Sequence, residues 1–152
     1  MDNRLSIPGY KRYLDHRGDA PLVDVAFLDL HEAPSGGTAV NGVCVPVSPE
    51  ELAELDARER NYARVEVTAR VAGELPGDAT IWTYLGLPAA RQRAAGARAA
   101  GTLVLQRDYR DLVERGFAAL GHAELEQYRA STAAPDCADL ELTRIDLLPA
   151  AT

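Results

Sequence analysis

The chain has 152 residues, 47% of them hydrophobic, and its formal net charge is −7. This length accommodates a sizeable core, so a single domain over residues 1–152 is predicted. The acidic balance argues against nucleic-acid phosphate and against an anionic membrane surface as partners. No apolar run approaches the ~18 residues that span a bilayer, so a soluble, cytoplasmic protein is the simplest prediction.

The first part of the chain predicts short strands joined by irregular segments. Residues 2–18 are interpreted as irregular or edge structure, and the apolar residues 23–30 as a strand. Residues 33–38 are typical of a turn or loop. Valines alternate in residues 43–47, which predicts a second strand. Cys44 lies among these valines and is expected to be buried there as a small hydrophobic residue.

Residues 48–62 predict a helix with a well-defined start. Ser48 is interpreted as the N-cap, and Pro49 as the first helical residue. Glu51 can return a hydrogen bond to the N-cap, which completes a capping box. The acidic residues of this first turn also favour the positive N-terminal end of the helix.

One carboxylate of this helix lies on its apolar side. Leu52, Leu55 and Glu59 occupy positions i, i+3 and i+7, so they share one face. A carboxylate among apolar side chains is partly desolvated, which makes it a better proton acceptor near neutral pH. We therefore expect Glu59 to be at least half buried, to face a cleft and to act as a general base. The alternative is a structural ion pair at the surface with Arg58, Arg60 or Arg64.

The second half of the chain mixes strands and helices without a regular βαβ rhythm, which favours the α+β class. Residues 65–71 alternate between apolar and polar and predict a half-buried antiparallel strand. A turn is predicted over residues 74–78 and a further strand over residues 81–85. Residues 88–101 are low in complexity and predict either a loop or a weak surface helix.

The C-terminal third predicts two helices and a closing strand. Apolar residues at helical spacing run from Tyr109 to Leu120, and Gly121 suits the end of that helix. Residues 122–131 predict a second helix, and residues 140–147 a closing strand. Because Tyr109 begins the apolar stripe, core packing alone would explain its presence.

The residues around Glu59 form the segment Leu55-Asp56-Ala57-Arg58-Glu59-Arg60-Asn61-Tyr62. This segment resembles the signature of the γ-glutamylcyclotransferase-like family, and so does its position between the predicted strands at residues 40–47 and 63–68. Other segments that resemble bacterial members are residues 7–11, 25–29 and 107–109. The resemblance spans residues 1–121.

The resemblance implies a compact mixed β-sheet or barrel with flanking helices. It also implies a reaction of glutathione metabolism in which the α-amine of a γ-glutamyl group attacks its own γ-carbonyl and releases 5-oxoproline, without a cofactor. Glu59 would be the catalytic general base, and Tyr109 and Tyr62 would bind the substrate. No histidine has a partner at ligand spacing, so a metal site is not expected.

One part of the family pattern is absent from the sequence. Members open with a strand that ends in a Tyr-Gly-Ser-Leu type loop, and no such motif occurs here. We therefore expect the chain to lack the first strand and the loop that holds the substrate carboxylate. Such a chain would be a poor enzyme and would self-associate through an open sheet edge. A second hypothesis is a non-catalytic or truncated member that binds a small ligand or a protein partner, although the retention of Glu59 speaks against it.

Overall fold

The computed structural model describes residues 1–148 except residues 8, 34–36, 74 and 76. That part of the chain forms seven β-strands, four α-helices and a short 3₁₀ helix at Thr68–Arg70. In chain order the strands and α-helices are β1 (Lys11–Leu14), β2 (Asp24–Ala26), α1 (Pro49–Arg58), β3 (Tyr62–Glu66), β4 (Trp82–Gly86), α2 (Pro88–Ala99), β5 (Leu103–Gln106), α3 (Arg107–Leu120), α4 (His122–Ser131), β6 (Ala138–Leu140) and β7 (Thr143–Asp146). The described strands form three separate sheets and no closed barrel, and the predicted α+β class is confirmed.

The chain divides into two compact units. The first unit comprises Met1–Phe27, Thr38–Asn41 and Gln92–Thr152, and the second comprises Leu28–Gly37 and Gly42–Arg91. This division does not test the prediction that residues 1–152 form a single domain, which therefore stays a prediction. No helix of the described residues is both long enough and apolar enough to cross a membrane.

The first unit contains a parallel three-stranded sheet in the order β2-β5-β6. Val25 on β2 is fully buried and clusters with Tyr13, Val104 and Leu142. Tyr13 belongs to a separate antiparallel pair of β1 and β7. The closing strand predicted over residues 140–147 is therefore two strands, because the chain leaves the parallel sheet after β6 and pairs with β1 as β7.

The two C-terminal helices form where the helical spacing predicts them. α3 ends before Gly121, whose φ of 136° is one that glycine adopts without strain. Phe117 on α3 stacks on Tyr128 of α4, with ring centroids 4.3 Å apart. Leu112 and Leu120 are 61% and 49% exposed, so only part of the predicted apolar stripe is covered.

The second unit contains α1 and an antiparallel pair of strands, the β3–β4 ribbon. The register of this ribbon places five pairs of residues opposite one another, among them Tyr62 and Gly86, Arg64 and Tyr84, and Glu66 and Trp82. The strand predicted over residues 65–71 ends at Glu66. Val67 still donates its N–H to the carbonyl of Ile81, but Ile81 donates its own N–H to the Thr68 side chain, and the chain then enters the 3₁₀ helix. None of the described residues of this unit is buried.

α1 begins as the sequence predicts. The Ser48 hydroxyl accepts a hydrogen bond from the N–H of Glu51 at 3.2 Å, and the Glu51 carboxylate accepts one from the N–H of Ser48 at 2.7 Å. The proline that follows the N-cap occupies the first turn of the helix. The helix ends at Arg58 rather than at residue 62, because the chain turns there and enters β3.

Residues 43–47 form no strand, so this prediction is wrong. Val43 and Val45 are 65% and 69% exposed, and Cys44 is exposed rather than buried. Alternating valines indicate β-propensity, but a strand also needs a neighbouring strand, and none of the described strands pairs with this segment. Pro46 also lacks the N–H that a ladder would use. Self-association through an open edge stays a prediction.

The structure describes the predicted loop and turn in part and shows the low-complexity segment as a helix. Of the loop predicted over residues 33–38, residues 34–36 lie outside the described chain and the rest has no regular structure. Of the turn predicted over residues 74–78, residues 74 and 76 lie outside it and residues 77–78 form a turn. The low-complexity segment 88–101 mostly forms α2, so the helix is the alternative that is observed.

The burial of Tyr13 predicts how the stability of the first unit changes at alkaline pH. The residue is 3% exposed, and burial raises the pKa of Tyr13 to about 12 from an ordinary value of 10.0. A pKa raised by folding means that the neutral phenol favours the folded state. This contribution is complete below about pH 10 and is lost as the pH rises toward 12. We expect Tyr13→Phe to flatten the alkaline fall of the unfolding free energy measured in urea, whereas an unchanged fall would exclude Tyr13 as its source.

Candidate functional site

Glu59 lies at the C-terminal end of α1, where its N–H still donates to the carbonyl of Leu55 at 2.9 Å. In residues 49–59 every residue is exposed except Leu52, Leu55 and Glu59. The Glu59 side chain is 30% exposed, so more than half of it is covered. The face predicted from the i, i+3, i+7 spacing is therefore the face that packs, and it carries Glu59.

A surface arginine approaches the carboxylate of Glu59. Nε of Arg58 lies 3.3 Å from Oε1 of Glu59, and the Arg58 side chain is 70% exposed. An ion pair this exposed contributes at most about 1 kcal/mol and is weakened by salt. The ion pair that the sequence offers as an alternative explanation therefore exists, but it is weak enough for another cation to replace Arg58.

Asp56, one helical turn before Glu59, ties α1 to the β3–β4 ribbon. Oδ1 of Asp56 accepts a hydrogen bond from Oη of Tyr84 at 2.8 Å, and Oδ2 lies 3.2 Å from Nη1 of Arg64. The guanidinium of Arg64 also lies over the ring of Trp82, 4.8 Å from its centroid. Asp56, Tyr84 and Arg64 together form the Asp56 clamp.

Two carboxylates act on the hydroxyl of Tyr84. Burial is the largest cause that raises the pKa of Tyr84, and its hydrogen bond to Asp56 adds to the rise. The negative charges of Asp56 and Glu59 raise the pKa further, whereas the charge of Arg64 lowers it. The phenol therefore stays protonated at neutral pH and keeps donating to Asp56, and the charge of Glu59 is close enough to affect it.

Tyr62 braces the turn between α1 and β3. Its N–H donates to the carbonyl of Glu59 at 2.9 Å, and its hydroxyl donates to the carbonyl of Leu28 at 2.8 Å. These two contacts join Tyr62, the first residue of β3, to the end of α1 and to Leu28. The prediction that Tyr62 binds the substrate stays a prediction, because both contacts serve the main chain.

A second polar tie holds the other strand of the ribbon. The carboxylate of Asp29 accepts hydrogen bonds from the N–H of Gly86 and from Nε of Arg91, each at 2.7 Å. Arg91 also donates to the carbonyl of Leu30 at 2.8 Å. Burial alone would raise the pKa of Asp29, but the hydrogen bonds from Arg91 and Gly86 outweigh it and hold that pKa below its ordinary value. The segment around Asp29 is thereby fixed to the end of β4.

Two shallow depressions lie beside these ties. One, of about 380 Å³, is bounded by Gly86 and Arg91, and the other, of about 450 Å³, runs along α1 beside Leu55 and Arg58. Glu59 lines neither of them, so its place in a substrate cleft stays a prediction. The described residues contain no group of three or more His, Cys, Asp or Glu side chains that could hold a metal ion.

Tyr109 belongs to the first unit and lies in the first turn of α3. Its N–H donates to Oε1 of the buried Gln106 at 2.5 Å. Its ring meets Phe27 edge-on, with centroids 5.2 Å apart, and the ammonium of Lys11 lies 4.1 Å from the centroid of Phe27. These contacts show why Tyr109 is partly buried, and its contact with a substrate stays a prediction.

The sequence indicates Asp56 of the Asp56 clamp but not its partner Tyr84. Asp56 precedes Glu59 by three positions, which places the two carboxylates on neighbouring positions of one helical face. The partner Tyr84 depends on the register of β3 against β4, and the turn predicted over residues 74–78 does not specify that register. Helical spacing could therefore have found Asp56, whereas Tyr84 required the structure.

Comparison with known proteins decides which family these residues represent. Residues 2–111 match the family model described as gamma-glutamyl cyclotransferase, AIG2-like. The chain belongs to this family. The matched range contains Glu59, Tyr62 and Tyr109, and membership in the gamma-glutamyl cyclotransferase family supports activity of that general type on small γ-glutamyl substrates. No curated protein and no solved structure gives a significant match.

The tie at Asp29 requires glycine at position 86. A Cβ at Gly86 would lie 2.8 Å from Cγ of Asp29 and would overlap a carboxylate oxygen. We expect Gly86→Ala to displace Asp29 and to lower the free energy of unfolding by roughly 1–3 kcal/mol, as overpacking does. Gly96→Ala in α2 is the matched control, because a Cβ there meets nothing within 4 Å and alanine favours a helix. Gly96→Ala should be at least as stable as the parent, and a Gly86→Ala free energy of unfolding equal to that of the parent would show that the tie is dispensable.

Proposed function

We propose that the chain releases 5-oxoproline from a γ-glutamyl compound, with Glu59 as the general base. The observation that carries the proposal is the position of Glu59. It lies on the packed face at the end of α1, inside the range that matches the family. A side chain that is 30% exposed is shielded enough to be oriented and open enough to meet a substrate.

The proposed reaction is an intramolecular acyl transfer. The neutral α-amine of the γ-glutamyl group attacks its own γ-carbonyl and forms a new C–N bond. The bond from that carbonyl to the leaving nitrogen then breaks, which closes the five-membered ring of 5-oxoproline. Because both reacting groups belong to one molecule, the protein mainly supplies orientation and proton transfer. No cofactor takes part in these steps.

Glu59 would move the proton that this reaction has to relocate. The α-amine is an ammonium near neutral pH and must lose a proton before it can attack. The carboxylate of Glu59 accepts that proton and returns it to the leaving nitrogen, so the proton balance closes within the site. The leaving group can be a peptide, a glutathione-type thiol peptide or a simple amine.

The end of α1 favours the approach of the ammonium. The C-terminal end of a helix carries a partial negative charge that attracts cations. This charge adds to that of Glu59, whose present partner, Arg58, is mostly exposed. The substrate ammonium would replace Arg58 as the partner of Glu59, and this exchange brings the proton to its acceptor.

Tyr62 and Tyr109 are proposed as substrate contacts. The Tyr62 hydroxyl already donates to the carbonyl of Leu28, so it would meet the substrate as an acceptor. The ring of Tyr109 lies against Phe27 and would offer an apolar edge to the aliphatic part of the γ-glutamyl chain. A cytoplasmic location fits such a substrate and is proposed with it.

A second candidate is a non-catalytic member of the family that binds a protein partner. The exposed valines at residues 43–47 favour it, since none of the described strands pairs with this apolar segment and it is therefore open to pairing with another chain. The two candidates separate in one assay. Release of 5-oxoproline from any member of a panel of γ-glutamyl compounds supports the enzyme. Release from none of them supports the binding protein.

Glu59→Gln tests the general base. The variant keeps the shape of the side chain but cannot accept a proton, so we expect 5-oxoproline release to fall by on the order of 10² to 10⁴. Glu50→Gln, an exposed carboxylate in the first turn of the same helix, is the matched control and should retain the parental rate. Circular dichroism should be the same for all three proteins. A Glu59→Gln rate within a few-fold of the parent would assign the base to another residue.

A further inference from the structure

Asp56 is held from two sides by a single rung of the β3–β4 ribbon. Tyr84 and Arg64 are direct cross-strand partners, and each contacts one oxygen of the Asp56 carboxylate, at 2.8 Å and 3.2 Å. Both carboxylate oxygens are therefore used, which fixes the rotation of the Asp56 side chain as well as its position. A carboxylate held through both oxygens constrains the helix that carries it more than a single contact would.

The rung is itself kept in place by an aromatic side chain. Trp82 lies two residues from Tyr84 on β4, and its ring underlies the guanidinium of Arg64 at 4.8 Å. Side chains two residues apart on a strand point to the same face of a sheet. The ring thus reduces the freedom of Arg64 on the face of the ribbon that contacts α1.

We propose that the Asp56 clamp positions the carboxylate of Glu59 for the reaction. This inference rests on the proposed function, since it assigns a role to Asp56, Tyr84 and Arg64 in that same site. The three residues do not touch the reacting atoms and act through the last turn of α1.

The end of a helix needs such a clamp if it is to carry a catalytic group. Glu59 is the C-cap, with φ of −85° and ψ of 50°, so only its N–H remains in the helical hydrogen-bond pattern. Terminal turns of helices fray because their last residues have few partners. Asp56 lies one turn earlier, and fixing it to the ribbon fixes the turn from which Glu59 projects. A displacement of about 1 Å at a reacting group costs on the order of 10²-fold in rate.

The protonation of Tyr84 is consistent with this role. Burial and the neighbouring carboxylates raise the pKa of Tyr84, so its hydroxyl remains a donor across the pH range in which Glu59 would work. A phenol that donates to an ionised carboxylate forms a charge-assisted hydrogen bond, which is stronger than a neutral one. The clamp should therefore hold under the conditions of the assay.

Tyr84→Phe removes the donor of the clamp and keeps its ring. We expect kcat for 5-oxoproline release to fall by roughly 10-fold to 100-fold, as for a misplaced catalytic group, with KM changed less than about 3-fold. Tyr128→Phe is the matched control, because Tyr128 stacks on Phe117 in the first unit and should leave kcat unchanged. Tyr84→Phe should stay folded, with the circular dichroism spectrum of the parent, although loss of a hydrogen bond to a carboxylate should lower its urea midpoint.

A double-mutant cycle with Glu59→Gln decides whether the clamp acts through Glu59. If Tyr84 positions that carboxylate, Tyr84→Phe should cost less than about 3-fold once Glu59 has become glutamine. An equal loss in both backgrounds, or no loss in the parent, would overturn the proposal. Asp56→Asn, which keeps the side-chain size, should behave like Tyr84→Phe and serves if that variant does not fold. Failure of the proposed function is seen separately, as a Glu59→Gln variant that retains the parental rate.

Discussion

The carboxylate of Asp56 is the interaction on which the geometry of the second unit depends. That unit has no buried residue among its described residues, so an apolar core does not set the position of α1. The contacts of Asp56 with Tyr84 and Arg64 tie α1 to one rung of the ribbon. Asp29 has the same role at the end of β4, where it binds Gly86 and Arg91. Two aspartates thus join neighbouring segments of this unit through polar contacts.

This construction differs from that of the first unit and suits a different purpose. Val25 and Val104 are nearly free of solvent there, and they hold the parallel sheet by apolar packing. A general base needs a surrounding that orients it while leaving it open to a substrate and to proton exchange. Directional hydrogen bonds from half-exposed side chains would meet both needs of the proposed general base, because they tie the turn before Glu59 without enclosing its carboxylate.

The sequence predicts local features of this fold well and long-range ones poorly. The capping box of Ser48 and Glu51 and the face shared by Leu52 and Glu59 depend only on near neighbours in the chain, and both are present. The strand over residues 43–47 and the burial of Cys44 required a neighbouring strand that no described residue supplies. The clamp on Asp56 required a strand register that alternation alone does not specify. Features that depend on a single helical turn or cap can be predicted from the sequence, whereas features that depend on strand pairing cannot.

The proposed cyclisation of a γ-glutamyl compound uses no water as nucleophile, and the fate of oxygen tests this most directly. The parent chain is incubated with γ-glutamyl amino acids in water enriched in the heavy isotope of oxygen, and the masses of the products are measured by mass spectrometry. Intramolecular attack predicts 5-oxoproline that carries only the oxygen of the substrate, together with the free amine. Glutamate that has gained heavy oxygen would show that water attacks the γ-carbonyl, and it would contradict the role assigned to Glu59 as acceptor of the α-ammonium proton.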